Sequence, residues 1–435
     1  MLKITQYHKF YEINSENGLL FNTWKGYIIK IDTSVYKKML DVNDEKELKL
    51  LFGKKYSAIN NMFFTDVDNE KEIMFKQLIK NKYNQDRLII TIMSTMDCNL
   101  RCVYCYQQGL VDRNINMTPK TIEFTKDWIL KEIKFSSCKE IVFHLYGGEP
   151  MCNFKAFKGI LPHVFDYCRN AGIKYSSYIT TNGTIINKEI LQYFKDWNMD
   201  NIQISVDGTQ KIHDSRRIKV DGKGTFKIIM NNIKFLLDND MKVVIRINVD
   251  AHNVDDIGDF FRNLKGENFD KYKKLQVNIE LVSPIMYPSE HCTNYIFIDQ
   301  NQLDSISKLW DLQVDNGFPI KSVMPIDSAC EHELSSSFTI DPLGTIYLCP
   351  GFVGLEKFQI GNVYEGLDIN KYKNLIKFNH WEECLDCEYV AICQGGCKMC
   401  AYVTTKKYES RYCRKEFIDN IYPNYLINKF LKENT

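Results

Sequence analysis

Residues 88–106 read LIITIMSTMDCNLRCVYCY, in which a β-type apolar run leads directly into a loop that carries Cys98, Cys102 and Cys105. Three thiolates at this C-x3-C-x2-C spacing can hold three corners of one iron–sulfur cube, which leaves the fourth iron without a protein ligand. A structural zinc site prefers four ligands in paired cysteines, and the sequence offers no fourth ligand nearby. The stretch therefore predicts an iron–sulfur cluster with one iron open to a small molecule.

The spacing closely resembles the signature of the radical S-adenosylmethionine (SAM) superfamily, in which an aromatic residue, here Tyr104, usually precedes the last cysteine. The resemblance implies that Cys98, Cys102 and Cys105 are the catalytic centre and hold a [4Fe–4S] cluster. In that family the open iron chelates the amino and carboxylate groups of SAM. Cleavage of SAM then supplies a 5′-deoxyadenosyl radical.

The charge and cysteine content of the chain indicate which kinds of partner to expect. The net charge of +1 over 435 residues gives no general attraction to nucleic acid or to a membrane surface. We find neither an apolar run of about 18 residues nor a signal-peptide core, so we expect a cytoplasmic protein without nucleic-acid or membrane partners. Fifteen cysteines in such a protein indicate metal binding rather than disulfides.

Between about residues 86 and 290, strand-like and helix-like segments alternate. Six such alternations predict a parallel sheet with helices outside it, and active sites of such barrels lie at the carboxyl ends of the strands. The cysteine loop follows the first strand, where this rule expects a site. We therefore predict an α/β fold whose residues 86–320 form a partial, TIM-like (β/α)6 barrel, the core that the radical SAM resemblance also implies. Strands are predicted at 88–95, 140–146, 175–181, 201–206, 242–249 and 275–282.

Residues 1–85 have a different pattern, with short strands closed by turns and then helical stretches near 34–52 and 70–82. They predict a small N-terminal α+β domain. One interpretation is a cap packed on the barrel. The other is a peptide-recognition element, because such modules can accept a peptide as an additional strand at a sheet edge.

The second predicted strand ends in Gly147-Gly148-Glu149. Glycines let the backbone approach a ligand closely, and a carboxylate can accept hydrogen bonds from an ammonium group. This matches the GGE motif of radical SAM enzymes, although the tripeptide alone would indicate a turn. Asn182 and Asp207 each stand directly before a glycine. A turn is therefore the alternative to a binding role for these two residues. The resemblance implies a SAM pocket that contains Tyr104, Gly147, Gly148, Glu149, Asn182, Ser205 and Arg246.

A second group of cysteines lies near the C-terminus. Two cysteine pairs alone would indicate a zinc ribbon. The full order, however, resembles the SPASM domain, which carries two auxiliary iron–sulfur clusters, and predicts a third domain over residues 321–435. The pattern comprises Cys330, Gly344-x4-Cys349, Cys384-x2-Cys387-x5-Cys393-x3-Cys397 and Cys413.

The SPASM resemblance also divides these cysteines between the two clusters. It implies that Cys384, Cys387, Cys393 and Cys413 bind the outer cluster, and that Cys330, Cys349 and Cys397 bind the inner one. For the inner cluster two alternatives stay open, a fourth ligand such as Cys400 or an open iron. With the SAM cluster, the expected total is three [4Fe–4S] clusters. The segment 338–348 predicts a β-hairpin that presents Cys349.

Proteins with this architecture mostly modify ribosomally made peptides. The resemblance to sactisynthase- and ranthipeptide-type maturases implies a SAM-dependent oxidoreductase that forms a thioether in a precursor peptide, with flavodoxin or ferredoxin as low-potential reductant. Alternatives are carbon–carbon crosslinking and formylglycine formation in a sulfatase. The sulfatase branch usually has Asp directly after the G-x4-C cysteine, and here Pro350 follows Cys349. A hypothesis from another class is a non-catalytic iron–sulfur electron carrier, against which the Gly147-Gly-Glu149 motif argues.

Overall fold

The computed structural model describes residues 2–105, 107, 112–282, 300–320, 330–427 and 430. These residues form two compact units. The barrel unit contains the described residues between 84 and 320 together with 332–378, and the terminal unit contains residues 2–83, 330–331 and those from 379 onward. The second half of the predicted third segment thus packs with the N-terminal residues. The predicted boundary at 320/321 lies beside residues 321–329, which are outside the described residues.

In the terminal unit, an antiparallel sheet of β2, β3 and β4 packs on short helices, and β1 pairs with β5. Buried apolar side chains such as Leu20, Met39, Leu48 and Phe63 form the core between them. The predicted α+β character of the N-terminal residues is therefore present. The elements are β1 (Lys3–Ile4), β2 (His8–Glu12), β3 (Asn17–Asn22), β4 (Ile28–Asp32), α1 (Thr33–Leu40), α2 (Glu45–Phe52), α3 (Tyr56–Phe63), β5 (Phe64–Thr65) and α4 (Glu70–Lys82).

One large sheet organises the barrel unit. Six parallel strands follow one another in the sheet in the same order as in the chain. This confirms the predicted α/β fold, because helices connect each strand to the next. The six strands are β6 (Arg87–Met93), β8 (Glu140–Tyr146), β9 (Lys174–Thr181), β10 (Met199–Ser205), β12 (Val243–Val249) and β13 (Leu275–Leu281), and two short strands, β7 (Leu100–Cys102) and β11 (Arg217–Lys219), form a separate pair.

The helices of the barrel unit cover one face of the sheet. On β8, Ile141, Phe143 and Leu145 are fully buried in the main core and share one face of the strand. His144 and Tyr146 on the other face are partly exposed, whereas Val142 on that face is buried. Thr118 caps the first helix by accepting the amide of Thr121 at 3.1 Å, and Pro119 occupies the first helical position. The helices are α5 (Pro119–Ser136), α6 (Phe154–Ala171), α7 (Lys188–Asp196), α8 (Gln210–Arg216), α9 (Phe226–Asp238), α10 (Ile257–Gly266), α11 (Gln300–Asp315) and α12 (Ile369–Ile376).

The sheet continues beyond β6 into the C-terminal part of the chain. Strand β14 (Ser337–Ile340) pairs in parallel with β6, and antiparallel pairs then add β15 (Thr345–Tyr347), β16 (Gly361–Asn362) and β17 (Gly366–Leu367). The predicted hairpin before Cys349 is thus present. Its turn needs Gly344, whose φ is +84° and whose missing Cβ would lie 2.7 Å from Val363.

The C-terminal residues of the terminal unit are held by a polar network on strand β2. Tyr389 donates to Asp419 at 2.7 Å and shares a 3.0 Å hydrogen bond with Tyr11. Lys9 lies 2.9 Å from both Glu388 and Asp419. The helices here are α13 (Val390–Cys393), α14 (Lys398–Thr405) and α15 (Lys415–Ile427). None of the helices within the described residues is long and apolar enough to cross a membrane.

Candidate functional site

The cysteine loop follows β6 and is fixed by a second piece of backbone. Strand β7 pairs antiparallel with β11, which places Cys102 opposite Arg217. The amide of Val103 also donates to the carbonyl of Arg216 at 3.0 Å, and the amide of Val220 donates to Asn99 at 3.2 Å. The loop is therefore held between the ends of strands that are distant in sequence, as expected for a site at the carboxyl edge of a parallel sheet.

Nitrogen donors surround two of the loop thiols. The amide of Leu100 donates to Cys98 Sγ at 3.4 Å, and the side-chain amide of Asn182 approaches the same sulfur at 3.8 Å. The Arg113 guanidinium lies 3.8 Å from Cys105 Sγ. Hydrogen bonds to sulfur and nearby positive charge stabilise cluster-bound thiolates. The donor set thus fits an iron–sulfur cluster.

The chain by itself does not favour the thiolate form of these cysteines. Burial raises the pKa of Cys98 to about 12 and that of Cys102 to about 11, and Arg217 opposes the rise at Cys102. A coordinating metal deprotonates a thiol outright, so the thiolates would form on cluster binding. Among the described residues, no group of three His, Cys, Asp or Glu side chains is arranged to hold a single metal ion. A [4Fe–4S] cluster does not need such a group, because each thiolate binds a different iron.

The two glycines after β8 dock against the residues that lead into the cysteine loop. Gly147 has φ +139°, and a Cβ there would lie 2.5 Å from the carbonyl oxygen of Thr95. A Cβ on Gly148 would lie 2.2 Å from the carbonyl oxygen of Asp97. These glycines thus allow their backbone to approach the backbone of residues 95–97, rather than a ligand. This close approach positions the first cysteine relative to the end of β8.

Glu149 is 1% exposed and accepts three hydrogen bonds. Its carboxylate accepts the Thr181 hydroxyl at 2.6 Å, the Asn182 amide at 2.6 Å and the Met151 amide at 3.0 Å. Burial raises its pKa, and these three donors oppose the rise. Glu149 thus fastens the end of β9 to the end of β8 and sets the position of Asn182, which contacts the cysteine loop.

Tyr104 lies at the centre of a polar network that joins the cysteine loop to strands β10 and β12. Its hydroxyl donates to Asp207 and accepts from the Arg217 guanidinium at 2.6 Å and the Asn248 side-chain amide at 3.2 Å. Arg246 in turn donates to Asn248 at 3.0 Å. The Tyr104 ring is therefore held in one orientation.

Two buried side chains, Arg216 and His213, contact the residues around this network. Arg216 is 3% exposed and makes paired hydrogen bonds of 2.9 and 2.6 Å to Asp250. His213 accepts the amide of Asp207 at 3.3 Å, and its other ring nitrogen lies 3.0 Å from Thr225. Burial lowers the pKa of His213 to about 4. His213 is therefore neutral at physiological pH and serves as a structural hydrogen-bonding group.

The structure brings most of the predicted pocket residues to one edge of the sheet. Ser205 is the last residue of β10 and is the register partner of Arg246 on β12. Three further residues of this edge were not among the predicted pocket residues, namely Asp207, Asn248 and Arg217. In the sequence, Asp207 before Gly208 could equally indicate a turn, and Asn248 lies two residues after Arg246 on the same predicted strand. Nothing in the sequence indicated Arg217, because its pairing with Cys102 depends on the β7–β11 contact.

In the terminal unit, three cysteines of the predicted outer set act on one another electrostatically. Cys384 and Cys387 both raise the pKa of Cys393, for which burial is the largest cause of the rise. The Arg411 guanidinium lies 3.6 Å from Cys384 Sγ, and the nearby Cys384 and Cys413 both raise the pKa of Arg411. A cation beside several thiols is the environment that an anionic cluster favours.

The cysteines of the predicted inner set are divided between the two units. Cys349 belongs to the barrel unit, where its sulfur accepts the Gly351 amide at 3.4 Å. Cys330 and Cys397 belong to the terminal unit, as does the buried Cys400 on α14. Both Cys397 and Cys400 act electrostatically on the same side chain, Tyr412.

Comparison with known proteins identifies the barrel. Residues 92–264 match the family model described as Radical SAM superfamily. A cysteine-type anaerobic sulfatase-maturating enzyme of Clostridium novyi is 28% identical over 337 residues, covering 70% of this chain and 86% of that protein. The radical SAM cyclopropyl synthase TigE of Paramaledivibacter caminithermalis is 24% identical over 455 residues, covering 94% of this chain and 91% of that protein.

Two solved structures have the same fold. Native anSMEcpe with bound AdoMet has a TM-score of 0.62 at 21% identity and covers 80% of this chain and 99% of its own. Streptococcus suis SuiB bound to precursor peptide SuiA has a TM-score of 0.54 at 17% identity and covers 94% of this chain and 98% of its own. At these identities the likeness establishes the fold.

Proposed function

Because residues 92–264 form a radical SAM domain, we propose that this chain is a peptide maturase that forms thioether crosslinks in a ribosomally made precursor. The observation that carries the proposal is the cysteine loop at the carboxyl edge of the sheet, with nitrogen donors at its thiols and a buried polar network beside it. The same edge would hold SAM next to the cluster.

Each predicted site residue has a role in the proposed reaction. Cys98, Cys102 and Cys105 would hold the cluster and leave one iron open. When bound, the cluster and SAM supply the electron and the 5′-deoxyadenosyl radical that removes a hydrogen atom from carbon. The protein has to orient the substrate and exclude side reactions, because the difficult chemistry belongs to the cofactors.

The remaining pocket residues would bind and orient SAM. Asn182 directly follows β9, Ser205 is the last residue of β10, and Arg246 lies opposite Ser205 in the middle of β12. Their side chains offer donors and acceptors for the polar groups of SAM. Gly147 and Gly148 act through the loop against which they dock. Glu149 already accepts three protein donors, so it would add a contact to the SAM ammonium only through the remaining capacity of its oxygens.

The substrate class is supported by the relatives. Streptococcus suis SuiB binds a precursor peptide, and its likeness extends over 94% of this chain. The resemblance of the C-terminal cysteines to the SPASM pattern favours two auxiliary clusters, of which the outer one would be held by Cys384, Cys387, Cys393 and Cys413. Such clusters can accept the electron that remains on the substrate radical. Flavodoxin or ferredoxin would supply the first electron.

Formylglycine formation is the second candidate, and a specific observation favours it. Cysteine-type sulfatase-maturating enzymes are 27 and 28% identical to this chain over 365 and 337 residues. Pro350 after Cys349 argues against it, because proline offers no carboxylate to act as a base at this position. The two candidates differ in whether sulfur stays in the product.

The first prediction uses the short cysteine-containing reading frames encoded beside this gene. Each would be co-expressed anaerobically with the enzyme, and the peptide mass recorded with and without thiol alkylation. A thioether removes one hydrogen from sulfur and one from carbon. We therefore expect a peptide that has lost two hydrogens and in which one cysteine no longer alkylates.

The matched control is the Cys102→Ala enzyme, with which every peptide should keep its mass. Loss of two hydrogens with all thiols still reactive would mean a carbon–carbon or carbon–oxygen bond instead. Loss of sulfur with gain of an aldehyde on a sulfatase-type peptide would favour formylglycine formation. Either outcome would overturn the thioether proposal.

A further inference from the structure

Arg217 is a buried cation beside the cysteine loop. It is 7% exposed and is the first residue of β11, directly opposite Cys102 in the β7–β11 pair. Burial alone would lower the pKa of Arg217, but Cys102, Tyr104 and Asp207 together raise it well above its usual range. Of these three groups, Cys102 acts most strongly. An arginine side chain is not deprotonated in proteins, so the guanidinium stays charged whatever the state of these neighbours.

The acids of this region are paired with the neighbouring arginine. Arg216 makes two hydrogen bonds to Asp250 and lies 3.6 Å from Asp207. Within the part of the chain that the structure describes, no carboxylate lies within ion-pair distance of Arg217. In that part of the chain the guanidinium makes one hydrogen bond, which the Tyr104 hydroxyl accepts, and this phenol is neutral.

One donor of Arg217 is left over. Its Nε–H is buried and has no acceptor among the described residues. A buried cation with an unmade hydrogen bond is costly unless an anion completes it. A [4Fe–4S] cluster on three thiolates supplies such an anion, with a net charge of about −1 when oxidised and about −2 after one-electron reduction. A cluster on these thiolates would therefore place an anion beside the buried guanidinium.

We propose that Arg217 is a positioning residue that stabilises the reduced SAM-binding cluster through its charge, and thereby raises the midpoint potential of that cluster. The step concerned is addition of one electron from a low-potential reductant, with no bond made or broken. A fixed positive charge nearby favours the state with the greater negative charge, and burial strengthens the effect because little water screens it. This inference rests on the cluster that the proposed function assigns to Cys98, Cys102 and Cys105.

Through its hydrogen bond, Arg217 also orients Tyr104. A conservative substitution can separate this orienting effect from the effect of the charge. Lysine at position 217 keeps the charge but cannot reproduce the guanidinium fork. Methionine has a similar apolar stem and carries no charge. The potential should therefore follow the charge at position 217, whereas the orientation of Tyr104 should follow the guanidinium geometry.

The test is an anaerobic redox titration of the full-length, reconstituted protein without SAM, followed by electron paramagnetic resonance. The signal to follow is the one that the Cys102→Ala protein lacks, which separates this cluster from any other. At the parent midpoint potential, Arg217→Met should lower the ratio of reduced to oxidised cluster at least tenfold, which for one electron is about 59 mV. Arg217→Lys should stay within about threefold of the parent, and the exposed control Arg169→Met should match the parent.

An Arg217→Met protein with full iron content and an unchanged potential would overturn the inference. If Arg217→Met does not retain the cluster, the test rests on Arg217→Lys. If the lysine variant holds the cluster but its ratio of reduced to oxidised cluster falls tenfold, the positive charge is not what sets the potential. A parent protein that forms no cluster on Cys98, Cys102 and Cys105 would instead overturn the proposed function. The two failures are thus distinguishable, because this readout requires no peptide substrate.

Discussion

Replacement of Cys102 by alanine is expected to abolish formation of 5′-deoxyadenosine from SAM under anaerobic reducing conditions. A site-differentiated cluster needs all three thiolates of the loop, since two cannot hold the cube and leave one iron open. We expect a loss of at least about 1,000-fold in SAM cleavage and of about four irons per chain, because without the cluster the electron has no route to SAM. Iron content and 5′-deoxyadenosine would be measured on the same anaerobic sample.

Cys152→Ala is the matched control. Cys152 is exposed, follows the same sheet edge and belongs to no cysteine motif. Its replacement should leave SAM cleavage within about twofold of the parent, in keeping with the small effects of surface substitutions. If the C-terminal cysteines bind the auxiliary clusters that the proposed function assigns to them, the Cys102→Ala protein should keep the visible absorption of those clusters. Undiminished cleavage by Cys102→Ala would refute the assignment of the SAM-binding cluster to this loop.

The second large effect is expected at Glu149. In Glu149→Gln, an amide NH2 group replaces a carboxylate oxygen that accepts a buried protein donor, so a donor would face a donor at Thr181, Met151 or Asn182. Buried hydrogen bonds to charged groups contribute about 1.5–3 kcal/mol each, and an unsatisfied donor costs a similar amount. We expect the free energy of local opening at the ends of β8 and β9 to fall by about 3 kcal/mol. Hydrogen exchange at the amides of Met151 and Asn182 should then be roughly 100-fold faster than in the parent.

Glu140→Gln provides the comparison on the same strand. Glu140 lies at the other end of β8, where it forms surface ion pairs with Lys174 and Arg87 at 2.7 and 3.4 Å. Such exposed pairs contribute about 0–1 kcal/mol, so this variant should exchange almost as the parent does. If Glu149→Gln exchanged no faster than Glu140→Gln, the three hydrogen bonds to Glu149 would not hold these strand ends together.

The barrel and the cysteine loop could be predicted from the sequence because their signals are local. The predicted strand at 88–95, the C-x3-C-x2-C spacing and the Gly147-Gly148-Glu149 tripeptide each occupy only a few consecutive residues. The order of the six strands then followed from their alternation with helices. The fold was therefore accessible before any tertiary contact was known.

Other features depend on contacts between distant residues and gave no local signal. The pairing of Arg217 with Cys102 joins residues 115 positions apart through two strands of only three residues each. The three donors to Glu149 come from two different strand ends, so its motif indicated a ligand contact rather than a structural role. Likewise, the Tyr11–Tyr389 hydrogen bond spans most of the chain, and nothing near Tyr389 indicated that it would pack on strand β2.

The central claim is that a radical generated in this barrel takes a hydrogen atom from a peptide. Its most direct test is to make the candidate precursor peptides with deuterium at their carbon-bound positions and to incubate them with the reduced enzyme and unlabelled SAM. The claim predicts 5′-deoxyadenosine that carries one deuterium with the correct peptide and none with the others. If 5′-deoxyadenosine forms with every peptide but never contains deuterium, then none of these peptides is the source of the hydrogen atom, and the assignment as their maturase is wrong.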